Sequence, residues 1–430
     1  MTEESQTSSG AYLIGVCSGE DNFQEKEKLL DELENLTASI GFPSVGRQVV
    51  RVSRFRPAYL IGTGKTEEII REAVENNAAM IVFNEDLSPS QQRNWEKRSS
   101  LCVIDRHEVI LDIFAARAST KEAVLQVELA RLEYSLPRLT RAWTHLSRQR
   151  GGARGTRGEG ESQLEIDRRY VLSRIAKIKN ELTKVRRYRA TQRKKRESIP
   201  LPSASIVGYT NAGKSTLLNV LTGSHVLEKD NLFATLDPTT RRFRLPCGRE
   251  LLITDTVGFI RDLPHDLVDA FRSTLEETLL SDFLIHVIDA SDPDFKAHIT
   301  STFQVLKELG AEEKPQIMVF NKIDRIPDDD YLGELKVLYP EGFFISVKTG
   351  AGTDAFVHKL DSLVRLRYSP VFFAIPLSRQ DMLSLVHRSG VVLEESYVDS
   401  RIEVKAEVPE KTKNILAEFI IKHDDCLLNT

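Results

Sequence analysis

The sequence predicts a multidomain α/β protein, and three observations support that fold class. At 430 residues the chain is too long for one compact core and suits two to four domains. Short β-type runs alternate with helical runs in two separate stretches, which is typical of parallel sheets covered by helices. A strongly basic helical segment lies between these stretches, and a small α+β tail follows the second one.

The first alternation predicts an N-terminal α/β domain over residues 1–117. Strands are expected at 11–16, 49–53, 79–83 and 101–104, with helices at 21–40, 65–75 and 88–97 between them. The run from Gly62 to Thr66 is similar to a phosphate-binding loop, but the first glycine of the full pattern would fall on Tyr59. Two interpretations stay open for this run: a glycine turn that opens a helix, or a second nucleotide site.

The next segment, residues 118–198, predicts an antiparallel helical hairpin. Apolar residues recur every three or four positions in two seams, which are typical of two helices packed together. The seams are Leu125, Leu129, Leu132 and Leu136, then Val171, Ile175, Ile178, Leu182 and Val185. Between them lies a loop, residues 147–160, in which five glycines after Arg150 disfavour a helix.

Positive charge is concentrated in this hairpin. Residues 138–196 contain 19 Lys/Arg and 5 Asp/Glu, a net charge of +14 in a chain whose net charge is −4. This density predicts a polyanionic partner, most commonly nucleic acid. We expect Arg150, Arg154 and Arg157 of the loop to reach RNA phosphates. The open alternatives are a disordered linker for the loop and a solvated helix face for the charge.

The second alternation predicts a doubly wound α/β domain over residues 199–368. Strands are expected at 204–207, 251–254, 283–289, 316–320 and 343–346. Residues 208–215, GYTNAGKS, match the complete phosphate-loop pattern between a predicted strand and a predicted helix. Its backbone N–H groups and Lys214 would hold the phosphates, and the Ser215 hydroxyl is a natural Mg²⁺ ligand.

Three further motifs follow strands of the same domain. Asp255 can hold Mg²⁺ through a water, and the backbone N–H of Gly258 can meet a γ-phosphate. Asp324, in the motif Asn321-Lys322-Ile323-Asp324, can accept hydrogen bonds from N1–H and the amine of guanine, donors that adenine lacks on that edge. The run Ser346–Lys348 could contact the guanine O6 through backbone N–H. The sequence therefore predicts a site for GTP/GDP and Mg²⁺.

A small α+β domain is expected over residues 369–430. Its predicted strands are 371–375, 391–398 and 401–408, and its predicted helices are 379–388 and 410–421. No residues in it point to a chemical function.

Together the motifs resemble translation-factor-like GTPases, and more closely the HflX family of ribosome-associated GTPases. The likeness covers residues 11 to about 368 and is sharpest at YLIGTGK (59–65), the basic loop, FATLDPT (233–239) and DTVGFIRDLPH (255–265). It implies an N-terminal α/β domain, a helical hairpin, a P-loop GTPase domain and a C-terminal domain. It also implies binding to the large ribosomal subunit and its RNA, splitting or rescue of stalled ribosomes under stress, and GTP hydrolysis stimulated by the ribosome.

The motif positions give the expected site residues. Catalytic roles are expected for Lys214, Thr235 and Gly258. By resemblance, Thr235 would join Ser215 on Mg²⁺ only while the γ-phosphate is present; spacing alone leaves Thr239 and Thr240 open as alternatives. The residues expected to contact the nucleotide are Gly208, Tyr209, Thr210, Asn211, Ala212, Gly213, Lys214, Ser215, Phe233, Ala234, Thr235, Leu236, Asp237, Asp255, Thr256, Val257, Gly258, Asn321, Lys322, Ile323, Asp324, Ser346, Val347 and Lys348.

Phe259 stands where many relatives of Ras carry a glutamine that orients the attacking water. A phenyl ring cannot make that hydrogen bond, so we expect slow hydrolysis by the isolated protein, with a partner that reorders the switch segments or supplies the missing group. Two other functions stay open: an ATP-dependent RNA-remodelling enzyme that uses Gly62–Thr66, and a non-catalytic RNA-binding scaffold with structural GTP.

Other functional classes are disfavoured by what the sequence lacks. The four cysteines, Cys17, Cys102, Cys247 and Cys426, are more than eighty positions apart and are expected to be reduced thiols. The nine histidines are scattered, so no metal cluster is expected. No apolar run is long enough for a membrane span, and the N-terminus is unlike a signal peptide. The last two absences predict a cytoplasmic protein. A monomer is expected, although no sequence feature determines the oligomeric state.

Overall fold

The computed structural model describes residues 10–19, 22–139, 160–197, 201–223, 233, 235–261, 277–398 and 400–421. The described residues separate into two compact units. The first contains those up to Val185 together with Phe233, and the second contains the others. Both units have the α/β character that the sequence predicts.

The first unit contains a four-stranded parallel sheet with strand order β2-β1-β3-β4. Its strands are β1 (Gly10–Ser18), β2 (Ser44–Val52), β3 (Ala78–Phe83) and β4 (Cys102–Asp105), and its helices are α1 (Phe23–Ser39), α2 (Thr63–Glu75), α3 (Pro89–Ser99) and α4 (Arg106–Arg117). The predicted alternation is confirmed, although β2 begins five residues before the predicted strand. Gly62 is the N-cap of α2, so the glycine-rich run opens a helix, as the first interpretation expects.

Two further helices form the predicted hairpin: α5 (Lys121–Ser135), followed by a 3₁₀ turn (Leu136–Arg138), and α6 (Gly160–Glu197), of which the residues up to Val185 belong to this unit. Leu125 packs with Ile178 and Leu182 at one end, while Leu139 packs with Val171 and Ile175 at the other. This order confirms the antiparallel packing, and the two clusters contain every predicted seam residue except Val185. The loop arginines Arg150, Arg154 and Arg157 lie outside the described residues.

Several cations of the basic segment are engaged inside this unit. Arg174 makes a two-pronged ion pair with Glu128, with N–O distances of 2.7 and 2.9 Å, and Lys179 pairs with Glu133 at 2.8 Å. Arg138 is anchored among backbone and side-chain oxygens of the N-terminal sheet region. The charge available to a partner is therefore smaller than the net +14 counted along the sequence.

The second unit contains a six-stranded sheet with strand order β10-β9-β8-β5-β7-β6. Its strands are β5 (Ser203–Val207), β6 (Thr239–Arg244), β7 (Glu250–Asp255), β8 (Phe283–Asp289), β9 (Gln316–Asn321) and β10 (Phe343–Phe344), and its helices are α7 (Lys214–Thr222), α8 (Phe295–Glu308), α9 (Asp329–Leu338) and α10 (Thr353–Arg365). All pairs are parallel except β6 with β7. Strand β6 is not predicted from the sequence, because its run of threonines and arginines has little apolar alternation.

The same unit ends in a four-stranded antiparallel sheet with strand order β12-β13-β11-β14. Its elements are β11 (Tyr368–Pro376), α11 (Gln380–Ser389), β12 (Val391–Val398), β13 (Arg401–Pro409), α12 (Glu410–Ile415), a 3₁₀ turn (Ala417–Phe419) and β14 (Ile420–Ile421). The predicted helix over 410–421 is wrong in its second half. There the β-branched pair Ile420–Ile421 joins β11, because tertiary strand pairing overrides the helical pattern.

Within the described ranges, no helix is both long and apolar enough to cross a membrane. Cys17, Cys102 and Cys247 form no disulfide bonds there, whereas Cys426 lies outside the described residues. The described part of the chain also holds no group of three or more His, Cys, Asp or Glu side chains that could bind a metal ion.

Candidate nucleotide site

The predicted phosphate loop, residues 208–215, connects the central strand β5 to α7. Gly213 has φ +97°, and a Cβ there would lie 2.3 Å from Nδ2 of Asn321. Only glycine fits this conformation and this close approach. The loop therefore ends on the N-terminus of α7, where helix amides favour an anion.

Lys214 lies inside the phosphate loop. Its side chain is buried, and Nζ donates hydrogen bonds to the carbonyl oxygens of Gly208 (3.1 Å) and Tyr209 (2.7 Å). Burial lowers the pKa of Lys214 to about 8, while the charge of Asp255 opposes this shift. A Cβ on Gly258 would lie 2.9 Å from Nζ, so glycine leaves the space around the amine open. The ammonium group of Lys214 is therefore held at the place where the phosphates of a nucleotide would lie.

Three oxygen-bearing side chains from different parts of the chain converge beside this lysine. The hydroxyls of Ser215 and Thr235 are 2.8 Å apart, and each lies 2.7 Å from Oδ2 of Asp255. Asp255 is 2% exposed, and burial raises the pKa of its carboxyl group. Its Oδ1 has no hydrogen-bond partner among the described residues. Two hydroxyls and a carboxylate with a spare oxygen are a donor set that suits Mg²⁺.

The two alternative threonines are strand residues, and Thr239 lies opposite Asp255 in the pairing of β6 with β7. Thr239 and Thr240 begin β6, and the Thr240 hydroxyl lies 2.9 Å from that of Thr254 on β7. The side chain of Thr240 is therefore engaged between two strands. Of the three threonines, the structure brings Thr235 to Ser215 and Asp255.

The predicted base-recognition motifs meet at the other side of the phosphate loop. The Asn321 side chain donates to the carbonyl oxygen of Ala212 (2.9 Å) and accepts from the backbone N–H of Val347 (3.1 Å). Oδ1 of Asp324 accepts from the Ser346 hydroxyl at 2.6 Å, and this bond lowers the pKa of the Asp324 carboxyl. Asp324 is therefore held ionised, in the form that can accept hydrogen bonds from a base.

Lys322 and Ile323 lie between Asn321 and Asp324 in the predicted base-recognition motif, and Lys322 is held on both its backbone and its side chain. It adopts a left-handed backbone conformation, φ +64°, and Nζ pairs with Asp289 at 2.7 Å. Ile323 donates its backbone N–H to the carbonyl of Ile345, which ties this motif to the run Ser346–Lys348.

The segment after β7, here called the β7 exit segment (Gly258–Arg261), is joined to the phosphate loop through main-chain atoms. Phe259 donates its N–H to Gly208 (3.1 Å), and its carbonyl accepts from the N–H of Thr210 (2.8 Å). The Phe259 side chain is 1% exposed. Phe259, which stands at the position of the missing glutamine, is therefore held by main-chain hydrogen bonds, and its ring is buried.

Some predicted contact residues have other partners. Phe233 is buried, and its ring lies edge-on to that of Phe114 in α4, with centroids 4.6 Å apart. The Thr256 hydroxyl donates to the carbonyl of Ile206 at 2.6 Å. These side chains support packing, and Ala234 lies outside the described residues.

Sequence reasoning missed two residues beside the phosphate loop. The backbone N–H of Arg261 donates to the Tyr209 hydroxyl at 2.9 Å, and the ring of His298 stacks on the Tyr209 ring with centroids 3.8 Å apart. Arg261 lies in the run 255–265 that carries the resemblance, but nothing in that run indicates a partner 52 positions away, and no motif contains His298, which is 89 positions from Tyr209.

Comparison with protein families and known proteins covers almost the whole chain. The family described as GTP-binding GTPase N-terminal matches residues 27–115, GTP-binding GTPase Middle Region matches 117–196, and 50S ribosome-binding GTPase matches 203–322. A solved structure of a GTP-binding protein from the hyperthermophilic archaeon Sulfolobus solfataricus in complex with GDP is 26% identical, with a TM-score of 0.43, and covers 83% of this chain and 98% of that one.

Two curated relatives show more extensive sequence identity. GTPase HflX of Akkermansia muciniphila is 46% identical over 422 residues, which cover 95% of this chain and 96% of the relative. GTPase HflX of Caldanaerobacter subterraneus subsp. tengcongensis is 41% identical over 425 residues, which cover 98% of this chain and 96% of the relative. Identity of this degree over nearly the full length shows that the chain belongs to the HflX family of GTPases.

Proposed function

We propose that this GTPase is a GTP-dependent factor of the large ribosomal subunit that splits or rescues stalled ribosomes, and that the ribosome stimulates its hydrolysis. The observation that carries the nucleotide part is the convergence of Ser215, Thr235 and Asp255 beside Lys214. The ribosomal part is supported by the match of residues 203–322 to a family described as 50S ribosome-binding GTPase.

In this proposal each motif of the site has one task. The phosphate-loop amides and Lys214 bind the phosphates, and Gly258 offers its backbone N–H to the γ-phosphate. Asp324 selects guanine, while Asn321 holds the phosphate loop and the Ser346–Lys348 run together. Ser215 and Thr235 would hold Mg²⁺, with Asp255 acting through a water. The ion would neutralise charge on the phosphates when bound.

Thr235 makes the site sensitive to the state of the nucleotide. It belongs to the stretch between α7 and β6, whereas Ser215 and Asp255 are fixed at the end of a helix and a strand. A side chain held only while the γ-phosphate is present is released after hydrolysis. The cleavage of one phosphate bond then becomes a conformational change that a bound ribosome can detect.

The surface proposed for ribosomal RNA is the basic hairpin. In the described part of α6, Arg168, Arg169, Lys177, Lys184 and Arg187 are exposed. The loop residues Arg150, Arg154 and Arg157 would extend this surface at the hairpin tip. Guanidinium and ammonium groups bind phosphate oxygens, so the affinity should decrease steeply with added salt. As such a factor, the protein would act in the cytoplasm and as a monomer.

Co-sedimentation with separated ribosomal subunits tests this proposal. The full chain with a non-hydrolysable GTP analogue should sediment with large subunits more than with small ones, and more than the GDP-bound chain does. The variant Arg150→Ala/Arg154→Ala/Arg157→Ala should lose this binding while its affinity for free GTP stays unchanged. The matched control replaces three exposed cations elsewhere, Arg388, Lys411 and Lys413.

Single-turnover GTP hydrolysis with and without large subunits tests the stimulation. Equal rates would contradict a ribosome-stimulated GTPase. Loss of GTP affinity in the triple-arginine variant would mean instead that the loop contributes to the nucleotide site. Phosphate release from ATP, measured in the same way, tests the alternative of an ATP-dependent enzyme.

A further inference from the structure

The hydroxyl group of Tyr209 connects the phosphate loop to the β7 exit segment. Its oxygen accepts a hydrogen bond from the backbone N–H of Arg261 at 2.9 Å. Two main-chain hydrogen bonds, described above, join Phe259 to Gly208 and Thr210. These three bonds hold the two chain segments side by side, and the Tyr209 bond is the one that a conservative side-chain change can remove.

The Tyr209 ring is itself fixed in place. It is 8% exposed and stacks on the His298 ring of α8, with centroids 3.8 Å apart and an angle of 12° between the planes. Nδ1 of His298 lies 3.6 Å from the carboxylate of Asp292, which precedes the same helix. The stack restricts movement of the Tyr209 ring and so keeps its hydroxyl group directed at Arg261.

Arg261 is also held through its side chain. Its guanidinium group lies 3.8 Å from Oδ2 of Asp294, the N-cap of α8, and both side chains are largely buried. The start of α8 thus contacts both partners of the hydrogen bond, His298 on the tyrosine side and Asp294 on the arginine side. The phosphate loop, the β7 exit segment and α8 form one connected arrangement.

We propose that Tyr209 is a positioning residue for GTP hydrolysis, one that acts on the β7 exit segment rather than on the nucleotide. The inference rests on the nucleotide site proposed above. The Phe259 ring cannot align a water molecule, so alignment of the attacking water depends on how accurately the main chain around Gly258 and Phe259 is held. The Tyr209–Arg261 hydrogen bond, stabilised by the stacking of His298 on Tyr209, holds this main chain in position.

The test is Tyr209→Phe, which removes the hydroxyl and keeps the ring. In single-turnover assays of the full chain with Mg²⁺, the rate at saturating GTP should fall by about five- to tenfold, the size expected for the loss of one hydrogen bond. The Kd values for GTP and GDP, measured with fluorescent analogues, should stay within about a factor of two because the loop backbone is retained. Tyr339→Phe, in the core beside Phe320, is the matched control and should leave both quantities unchanged.

Substitutions at His298 separate positioning from simple loss of packing. His298→Ala should slow the rate, whereas His298→Phe should restore it because a flat ring can still stack on Tyr209. In the Tyr209→Phe background, His298→Ala should add little further loss, since both changes act through the same hydrogen bond.

Two outcomes would overturn the inference: an unchanged or faster rate in Tyr209→Phe, or a rate loss matched by a loss of nucleotide affinity. If the nucleotide binds normally but the rate is unchanged, only the role of Tyr209 fails. If Lys214→Ala also binds GTP normally, the nucleotide site itself is assigned wrongly. The two failures are therefore distinguishable.

Discussion

The hydroxyl oxygens of Ser215 and Thr235 lie 2.8 Å apart, although Ser215 lies in the first turn of α7 and Thr235 lies in the stretch that leads to β6. Both contact the same carboxylate oxygen of Asp255, whose second oxygen has no hydrogen-bond partner among the described residues. The cluster depends on the Thr235 stretch being in place. It therefore links the proposed metal ligands Ser215 and Asp255 to Thr235, the residue whose position is proposed to depend on the γ-phosphate.

Thr235→Ala should weaken binding of a non-hydrolysable GTP analogue by about tenfold, while GDP affinity changes by less than about twofold. The reason is that the Thr235 hydroxyl is expected to act only while the γ-phosphate is present. Titration of fluorescent nucleotides in Mg²⁺ measures both affinities. Thr240→Ala is the control, because that hydroxyl meets Thr254 between two strands. Equal losses for the two nucleotides would argue against the role of Thr235.

Lys214→Ala should reduce affinity for GTP and GDP by about a hundredfold, because it removes a charged donor from the phosphates inside a buried loop. Isothermal calorimetry of the variant and of an exposed control, Lys336→Ala, provides the comparison. Circular dichroism should show that both variants are folded. GTP affinity within about twofold of the wild type would mean that the phosphates bind elsewhere.

Much of this site could be predicted from the sequence because its motifs are short and local. The phosphate loop needs glycines at fixed spacings around one lysine, and Asp324 follows a buried strand; both can be recognised without knowledge of the fold. Motif spacing alone does not show that Thr235, rather than Thr240, lies beside Ser215 and Asp255. The distinction depends on β6, whose threonines and arginines do not alternate as strand residues usually do.

The rest of the site depends on contacts between distant positions. Phe259 indicated only a missing glutamine, whereas the structure shows its main chain joined to the phosphate loop. His298 gave no signal because its partner Tyr209 is 89 positions away. In the first unit, Arg138 was counted among cations for a partner, yet its guanidinium is anchored to Leu87 and Gln92.

Asp324→Asn should change the base that the site selects. In the proposed site the ionised carboxylate would accept two hydrogen bonds from guanine. An amide would place a donor against one of those N–H groups and could instead pair with the 2-oxo group of xanthine. GTP affinity should fall by about a hundredfold and xanthosine triphosphate should bind more tightly than it does to the wild type. Competition binding with the two nucleotides tests this, with the exposed Asp330→Asn as the control. An unchanged preference would remove Asp324 from base recognition.

The carboxyl group of Glu108 should make the stability of the first unit dependent on pH. Burial, together with the charges of Asp105 and Asp112, raises the pKa of Glu108 from 4.5 to about 7. Because the folded-state pKa is the higher one, the contribution of this group to stability is fully present below pH 4.5. It is lost as the pH rises towards and through about 7.

Glu108→Gln removes this titration. The free energy of unfolding of the variant minus that of the wild type should therefore increase by about 2–3 kcal/mol from pH 4 to pH 8. Trp95 is fully buried beside Phe83, and its fluorescence reports unfolding of this unit once Trp143→Phe removes the other tryptophan. Urea titrations at the two pH values then give the free energy of unfolding. The exposed Glu75→Gln should show no such difference. If the stability difference between Glu108→Gln and the wild type were the same at pH 4 and pH 8, the Glu108 carboxyl would not be the titrating group, because its ionisation is the only step that the substitution removes.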